Sequence, residues 1–458
     1  MSSIFYDEKD LHDIAQIKRF MEILTMVPGA KEEYKKDPEG FLLKNQVPFG
    51  REELEFKMTN RADLRSARAV HPGAKIEKYI EFTHKKLDWR DDLRNASTPQ
   101  NSTMKKWRDR QIIRCEGEFG YRNHSYIHTV LTLELTSGCS VGCPYCGLNA
   151  GKLSRIYRAT PENLEEWRAV LTAAKEVIGD GAGYGTCYYA TEPMDNPDYE
   201  KFVAVYRDVF GRLPQITTAA SLRNKERTRK LLQDMMEEGD TIYRFSLQSL
   251  EQLKEIRETF TPEELILVEL LPQYKEAPDS HFVKAGRNAQ EEEYGGTIAC
   301  LTGFVVNMAE HTIRLTTPVT ASERYPTGEA ILCRESFTDA EDLRRRMQDM
   351  IRTHMKLLIG PKEKIQLYPY FDYTVSSKCV KIMSKEYYTI RYDKPEEILG
   401  MKEILPLLKQ GNMTKRELVD CLQKEEGKWG VKPEFLFYFL NYFWKQGLLV
   451  DHDLYPEE

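Results

Sequence analysis

Three of the nine cysteines, Cys139, Cys143 and Cys146, crowd into eight residues of the segment GCSVGCPYCG. Intervals of three and then two residues let a single loop wrap three thiolates around one centre. A structural zinc site takes four protein ligands, usually as two separated pairs, and the chain has no second CxxC. Three thiolates on a four-iron cluster leave one iron without a protein ligand, which is an arrangement for reactivity. The plain alternative is three buried cysteines in a turn, but this spacing directly after a strand favours the cluster.

The elements around the loop are those of a β/α domain. In HTVLTLELTSGC, Leu131, Leu133 and Leu135 point one way while Thr132, Glu134 and Thr136 point the other. Thr160-Pro161 then caps a helix bearing Leu164, Trp167, Val170 and Leu171. The strand CYYATEP, the strand PQITTAA, TIYRFSLQSL and LILVELLPQY follow with helices between them. Such repetition implies a parallel sheet with helices outside, doubly wound or curled into a barrel, with chemistry collecting where strands end. We expect five regions: a helical unit at 1–60, a solvated helical linker at 61–120, the β/α domain at 121–335, an α+β extension at 336–395, and a helix–turn–helix–strand module resembling a winged helix at 396–458. In the last, Thr414 and Glu417 form a capping box, and Pro433 opens a second helix that Gly447 closes.

Composition narrows the classes. The 458 residues are 41% hydrophobic, enough for a sizeable core, and 72 acidic residues outweigh 66 basic ones. No basic excess speaks for nucleic acid, and no apolar run or signal-like start speaks for a membrane, so we expect a cytoplasmic protein. An odd cysteine count in a long chain argues against a disulfide framework. The histidines suggest no metal site; His124 and His128 read as ordinary polar residues.

The cysteine motif resembles that of radical S-adenosylmethionine (SAM) enzymes, and the resemblance extends through the β/α region. It implies a partial (β/α)6 barrel, a [4Fe-4S] cluster on Cys139, Cys143 and Cys146, and S-adenosyl-L-methionine as cofactor. Tyr145 matches the aromatic residue that packs near the adenine. Ala190-Thr191-Glu192-Pro193 stands where the family has Gly-Gly-Glu-Pro, so Glu192 matches the contact to the methionine amino group and both glycines are missing. Thr217, Ser246, Gln248, Leu271 and Arg287 fall where the family binds ribose, carboxylate and adenine.

Within that superfamily, GCSVGCPYCGLNAG looks most like the proteusin-type peptide epimerases, which mature ribosomally synthesised precursor peptides. The N-terminal helices and TTPVTASERYPTGE agree with this, as does a C-terminal module resembling those that grip a leader peptide by strand addition. The resemblance implies α-hydrogen abstraction by a 5′-deoxyadenosyl radical and hydrogen return from a cysteine thiol. It also implies an electron donor such as flavodoxin or ferredoxin. Cys333, after the SERYPTGE loop, ranks first as the thiol and Cys379 second; Cys115, Cys187, Cys300 and Cys421 read as packing residues. The rivals are a peptide cyclase forming thioether or carbon–carbon crosslinks, and a peptide-binding scaffold whose cluster senses redox state.

Overall fold

The computed structural model describes residues 7–60, 64–239, 241–278, 280, 283–290, 295–384, 389–424 and 433–455. Alternation sets the first strand of the β/α domain. In β1 (Thr129–Glu134), Leu131 and Leu133 share a core with Trp167, Val170 and Leu171 of α1 (Pro161–Ile178). Thr132 turns the other way, its hydroxyl 2.8 Å from that of Thr186. β2 (Ile216–Thr218), β3 (Tyr243–Leu247) and β4 (Val268–Pro272) run parallel, with Thr217, Arg244 and Glu269 side by side. Buried and half-buried residues alternate along all three, so Thr217, Arg244, Ser246, Glu269 and Leu271 share one inner face while their neighbours pack against helices.

The sheet departs from the expected (β/α)6 barrel in two ways. CYYATEP forms no strand; only the residue before it, Thr186, supplies a rung, bridging Thr132 to Gln215. The sixth strand, β5 (Leu301–Asn307), does not extend the curl past β4; it lies parallel to β1 on the other side, Thr129 opposite Leu301. β6 (Thr312–Pro318) and β7 (Glu329–Ser336) continue that edge antiparallel, giving the order β7-β6-β5-β1, then Thr186, then β2-β3-β4. No barrel closes. Beyond β4, N-terminal helices cover the edge strand instead. The Tyr274 hydroxyl donates to Met26 O at 2.8 Å, Arg19 donates to Phe260 O at 2.6 Å, and Lys86 Nζ lies 3.5 Å from Glu269.

The region read as a solvated linker contains a helix with four buried polar side chains. In α2 (Ser102–Phe119), Arg108, Arg110, Gln111 and Arg114 are all buried. Their pattern looked like a wet surface because each guanidinium finds an internal partner, which sequence cannot show. Arg108 donates to His128 O and Ile127 O, Arg110 pairs with Asp451 at 2.7 Å, and Arg114 bonds Glu118 and Pro318 O. His128 is fully buried between Asn123 and Thr302, where burial holds it neutral.

Packing crosses the expected boundary at 395/396. One core runs from Ile359 to Val450 and joins a three-stranded antiparallel sheet, β8 (Phe371–Val375), β9 (Val380–Ser384) and β10 (Thr389–Tyr392), to three helices. These are α3 (Pro395–Gln410), α4 (Lys415–Lys424) and α5 (Pro433–Lys445). Thr414 and Glu417 make the expected capping box, whereas Leu448–Val450 contributes a single bridge, Leu367 to Leu449. The preceding helix, α-helix Ala340–His354, belongs to the β/α core. Among the described residues no helix is long and apolar enough to cross a membrane.

Candidate active site

Cys139, Cys143 and Cys146 are half-buried on the loop that follows β1, at the C-terminal end of the parallel strands. Close approach of two segments shapes this loop. Gly138 has φ +78°, and a Cβ there would meet Lys152 O at 2.2 Å. Gly286, at φ +59°, leaves no room either: a Cβ would lie 2.3 Å from Cys146 O. That contact lets Arg287 clamp the loop. Its backbone N–H donates to Cys146 O at 3.0 Å, one guanidinium nitrogen to Cys143 O at 2.9 Å, and the other to Ala150 O. Asp195 ties the loop from the other side, accepting from Ser140 N at 2.7 Å and from Arg223 at 2.6 Å, while Arg223 also donates to Ser140 Oγ at 2.8 Å.

Arg287 therefore braces the backbone of the cysteine loop. An Arg287→Lys variant keeps the charge but cannot span two carbonyls. Losing one charge-assisted bond costs about 1.5–3 kcal/mol. The expected result is a roughly tenfold faster loss of iron on gel filtration; iron retention equal to the wild type would refute the clamp.

Burial pushes the Cys143 thiol up to about 12, and the neighbouring Cys146 and Cys139 add to the shift. Among the described residues no three His, Cys, Asp or Glu groups are placed to share one metal ion. An open cavity of about 690 Å³ lies against Cys139, Ser140, Gly142, Lys152, Leu153 and Arg287.

The other expected site residues separate into groups. Tyr145 is half-buried on the loop, its ring 5.9 Å from Lys275 Nζ. Glu192 is only 4% exposed, and its carboxylate accepts from Thr218 Oγ1, Met194 N and Ala219 N. It ties its own turn to the end of β2. Thr217 lies on the inner face beside the Tyr188 hydroxyl. Ser246 and Leu271 sit opposite each other in register on that face. Gln248 donates its backbone N–H to Gln252, and its side-chain oxygen is buried with no partner among the described residues.

Cys333 and Cys379 are not brought together with these residues. Cys333 pairs with Leu315, which is buried in the helix-packed core, so directly opposite residues place the thiol on the outer face, where it donates to Glu335. Cys379 lies at the β8–β9 turn, its backbone N–H donating to Ser376 Oγ.

The structure adds residues that pattern reading passed over. Arg244 bonds Glu269 at 3.0 Å, and Lys86 approaches the same carboxylate. On the β1 side, Arg314 lies between Glu329 at 3.4 Å and Glu134 at 3.6 Å, and its guanidinium stands 5.3 Å from the Tyr189 ring centre. A charged residue inside an apolar strand, as in TIYRFSL and LILVEL, was the available signal. Burial opposes ionisation of Glu269, but Lys86 and Arg244 outweigh it and hold the carboxyl near about 2. A depressed carboxyl stabilises the fold above its ordinary range and loses that contribution as pH falls through its folded value. The melting-temperature gap between wild type and Glu269→Gln should hold above about pH 4.5 and narrow towards pH 2; a gap unchanged by acid would contradict the pairing.

A sequence profile described as the Radical SAM superfamily matches residues 133–277. The chain is 36% identical over 354 residues to the uncharacterized protein y4wI of Sinorhizobium fredii (strain NBRC 101917 / NGR234), covering 74% of this chain and 68% of that one. A crystal structure of BtrN in complex with AdoMet and 2-DOIA aligns at 14% identity over 49% of this chain and 82% of that chain, with a TM-score of 0.33, a likeness that carries no argument about this protein. The family uses a [4Fe-4S] cluster and S-adenosylmethionine. Three thiols on one clamped loop, an adjoining cavity and a Gln248 oxygen with no partner among the described residues are donors of the kind these two groups need. By sequence, relative and cysteine loop together, this chain belongs to the radical SAM superfamily.

Proposed function

We propose that this chain is a peptide epimerase, converting L to D residues in a ribosomally made precursor. The observation that supports a peptide substrate is the C-terminal unit. Among the described residues its edge strand β10 has one side unpaired in the sheet order β8-β9-β10. Beside that edge an aromatic face runs from Tyr392 to Tyr442 (6.2 Å) and on to Tyr438 (6.0 Å, stacked), with Phe437 and Tyr438 exposed. An edge strand flanked by exposed aromatics suits an extended leader segment, which adds as a further strand.

Bound at the cysteine loop, the cluster and SAM supply a 5′-deoxyadenosyl radical able to remove a hydrogen atom from carbon. The chain's own residues do the rest. Cys139, Cys143 and Cys146 hold the cluster, and Arg287 and Asp195 fix their loop. The inner face presents Thr217, Ser246 and Tyr189 beside two internally paired charge networks, a surface suited to a neutral stretch of peptide. Reducing equivalents come from a flavodoxin- or ferredoxin-type carrier.

The test is co-expression with the small open reading frame beside the gene, in deuterated water. Each modified residue should gain about one mass unit, because a solvent-exchanged thiol returns deuterium to Cα. Acid hydrolysis should then release D residues. A peptide two hydrogens lighter would mean crosslinking and would overturn the reading, as would an unmodified peptide that still binds.

A further inference from the structure

Charge is unevenly spread around the cysteine loop. The chain has 72 acidic residues among 458, yet none lies between Glu134 and Glu162, a stretch that holds Cys139, Cys143 and Cys146 together with Lys152, Arg155 and Arg158. These three cations are exposed, and among the described residues neither Lys152 nor Arg155 has a carboxylate partner. Backbone pairing holds them against the loop. Cys139 bridges Lys152, its N–H donating to Gly151 O at 2.9 Å, and Arg155 stands opposite Ser137 where Arg155–Ile156 pairs with Thr136–Ser137. Arg223 reaches in from beyond β2, its side chain 46% exposed, and donates to Ser140 Oγ at 2.8 Å.

The acids nearby do not cancel this charge. Asp195 is 1% exposed and faces Arg223, while Asp198 is 14% exposed and pairs with Arg158 at 2.8 Å and Lys201 at 3.1 Å. Glu310, which accepts from Ser137 Oγ, is exposed. Lys152, Arg155, Arg158, Lys201 and Arg223 thus outnumber Asp195, Asp198 and Glu310, a local positive excess on a chain whose formal charge is -6.

A second feature of the same surface is how closely a partner can approach. Ser140, Gly142 and Pro144 are exposed and alternate with the half-buried Cys139, Val141, Cys143 and Tyr145. A Cβ on Gly142 or Gly151 would meet nothing within 4 Å, so this side of the loop is open and carries small, uncharged residues. A protein surface laid there comes close to the cysteine loop without displacing a side chain. Electron transfer weakens steeply with distance, so a thin wall between donor and cluster favours it.

Resting on the carrier named above but not on epimerisation, we infer that the surface formed by Lys152, Arg155, Arg158 and Arg223 docks the electron donor, an acidic one-electron carrier protein of low potential. Reductive cleavage of the SAM sulfonium consumes one electron. The carrier is oxidised by that electron and the cluster is reduced by it, and no atom crosses the interface. Exposed cations around an uncharged centre steer an acidic partner to the loop and fix its orientation, while the net negative remainder of the chain repels it.

The experiment compares wild type, Arg155→Glu, Arg155→Glu/Arg158→Gln and Lys35→Glu, all with reconstituted clusters. Lys35 places the same charge change on an exposed site of the N-terminal helices. The probes are a bacterial flavodoxin, a [2Fe-2S] ferredoxin and dithionite. Binding of each oxidised carrier is read by calorimetry, and 5′-deoxyadenosine formation is measured with each reduced carrier or with dithionite. In Arg155→Glu the Kd of the carrier that serves the wild type, and the KM for its reduced form, should rise about tenfold. Its kcat, iron content and dithionite-driven cleavage should stay at wild-type values. The double variant should lose more affinity, and its binding should depend less on salt than that of the wild type. Lys35→Glu should match the wild type. Unchanged carrier binding and KM in both arginine variants would overturn the assignment, as would a wild type that cleaves SAM with dithionite but binds neither carrier. Dithionite-driven cleavage that falls in step with carrier-driven cleavage would also overturn it, by showing that Arg155 supports the cluster itself. Weakened precursor binding with carrier binding intact would give the surface to the peptide instead. Failure of the epimerase reading, seen as a precursor without deuterium, would leave each of these results as it stands.

Discussion

Replacing any one of Cys139, Cys143 or Cys146 with Ala should reduce SAM cleavage to background, a loss of several orders of magnitude. The three thiols are half-buried on a loop whose backbone is held by Arg287, Gly286 and Asp195, and none is part of the main core. Alanine is smaller and uncharged, so it removes a ligand without leaving an unpaired buried group. The fold should therefore survive: circular dichroism and melting temperature of the apoprotein should match wild type while iron content and 5′-deoxyadenosine disappear. A variant that still forms 5′-deoxyadenosine at a wild-type rate would remove the cysteine loop from the chemistry. The peptide-binding scaffold reading makes the opposite forecast for function, since precursor binding and every biological effect should then persist in the alanine variants.

Asp451→Ala should be the most damaging single change away from the cysteine loop. Asp451 and Arg110 are paired at 2.7 Å with side chains 7% and 5% exposed. Arg110 also donates to Lys356 O at 2.9 Å and stacks 3.8 Å from the Trp444 ring, so it fastens α2 to the C-terminal unit. Burial pulls Arg110 below its usual value and pushes Asp451 above its own, which shows how much desolvation this pair bears. Removing the carboxylate strands a buried guanidinium, at a cost of about 3–5 kcal/mol. The C-terminal unit should then open to limited proteolysis before the β/α domain does, and precursor binding should weaken while precursor-independent SAM cleavage persists. Equal protease resistance in the two proteins would show that the docking rests on other contacts, such as Tyr325 with Leu454.

Local order explains which features could be read from the amino acids alone. The cysteine loop was legible because its ligands lie within eight residues and its strand alternates cleanly. The helix caps at Thr160 and Thr414 were legible for the same reason, since N-cap signals act over three residues. Family membership followed from those short-range signals.

Sheet order, burial of charge and the direction of individual thiols depend on partners distant in sequence, and only the tertiary structure decided them. Nothing near residue 301 says that β5 should lie beside β1 rather than beyond β4, because that choice belongs to the N-terminal helices covering β4. The arginines of α2 look solvent-seeking until Asp451, Glu118 and the carbonyls of His128 and Pro318 close around them. Cys333 follows a promising loop, yet pairing with Leu315 turns it to the helix side. Strand periodicity determines that neighbours alternate; which face is the inner one is set by the strands and helices that pack against it.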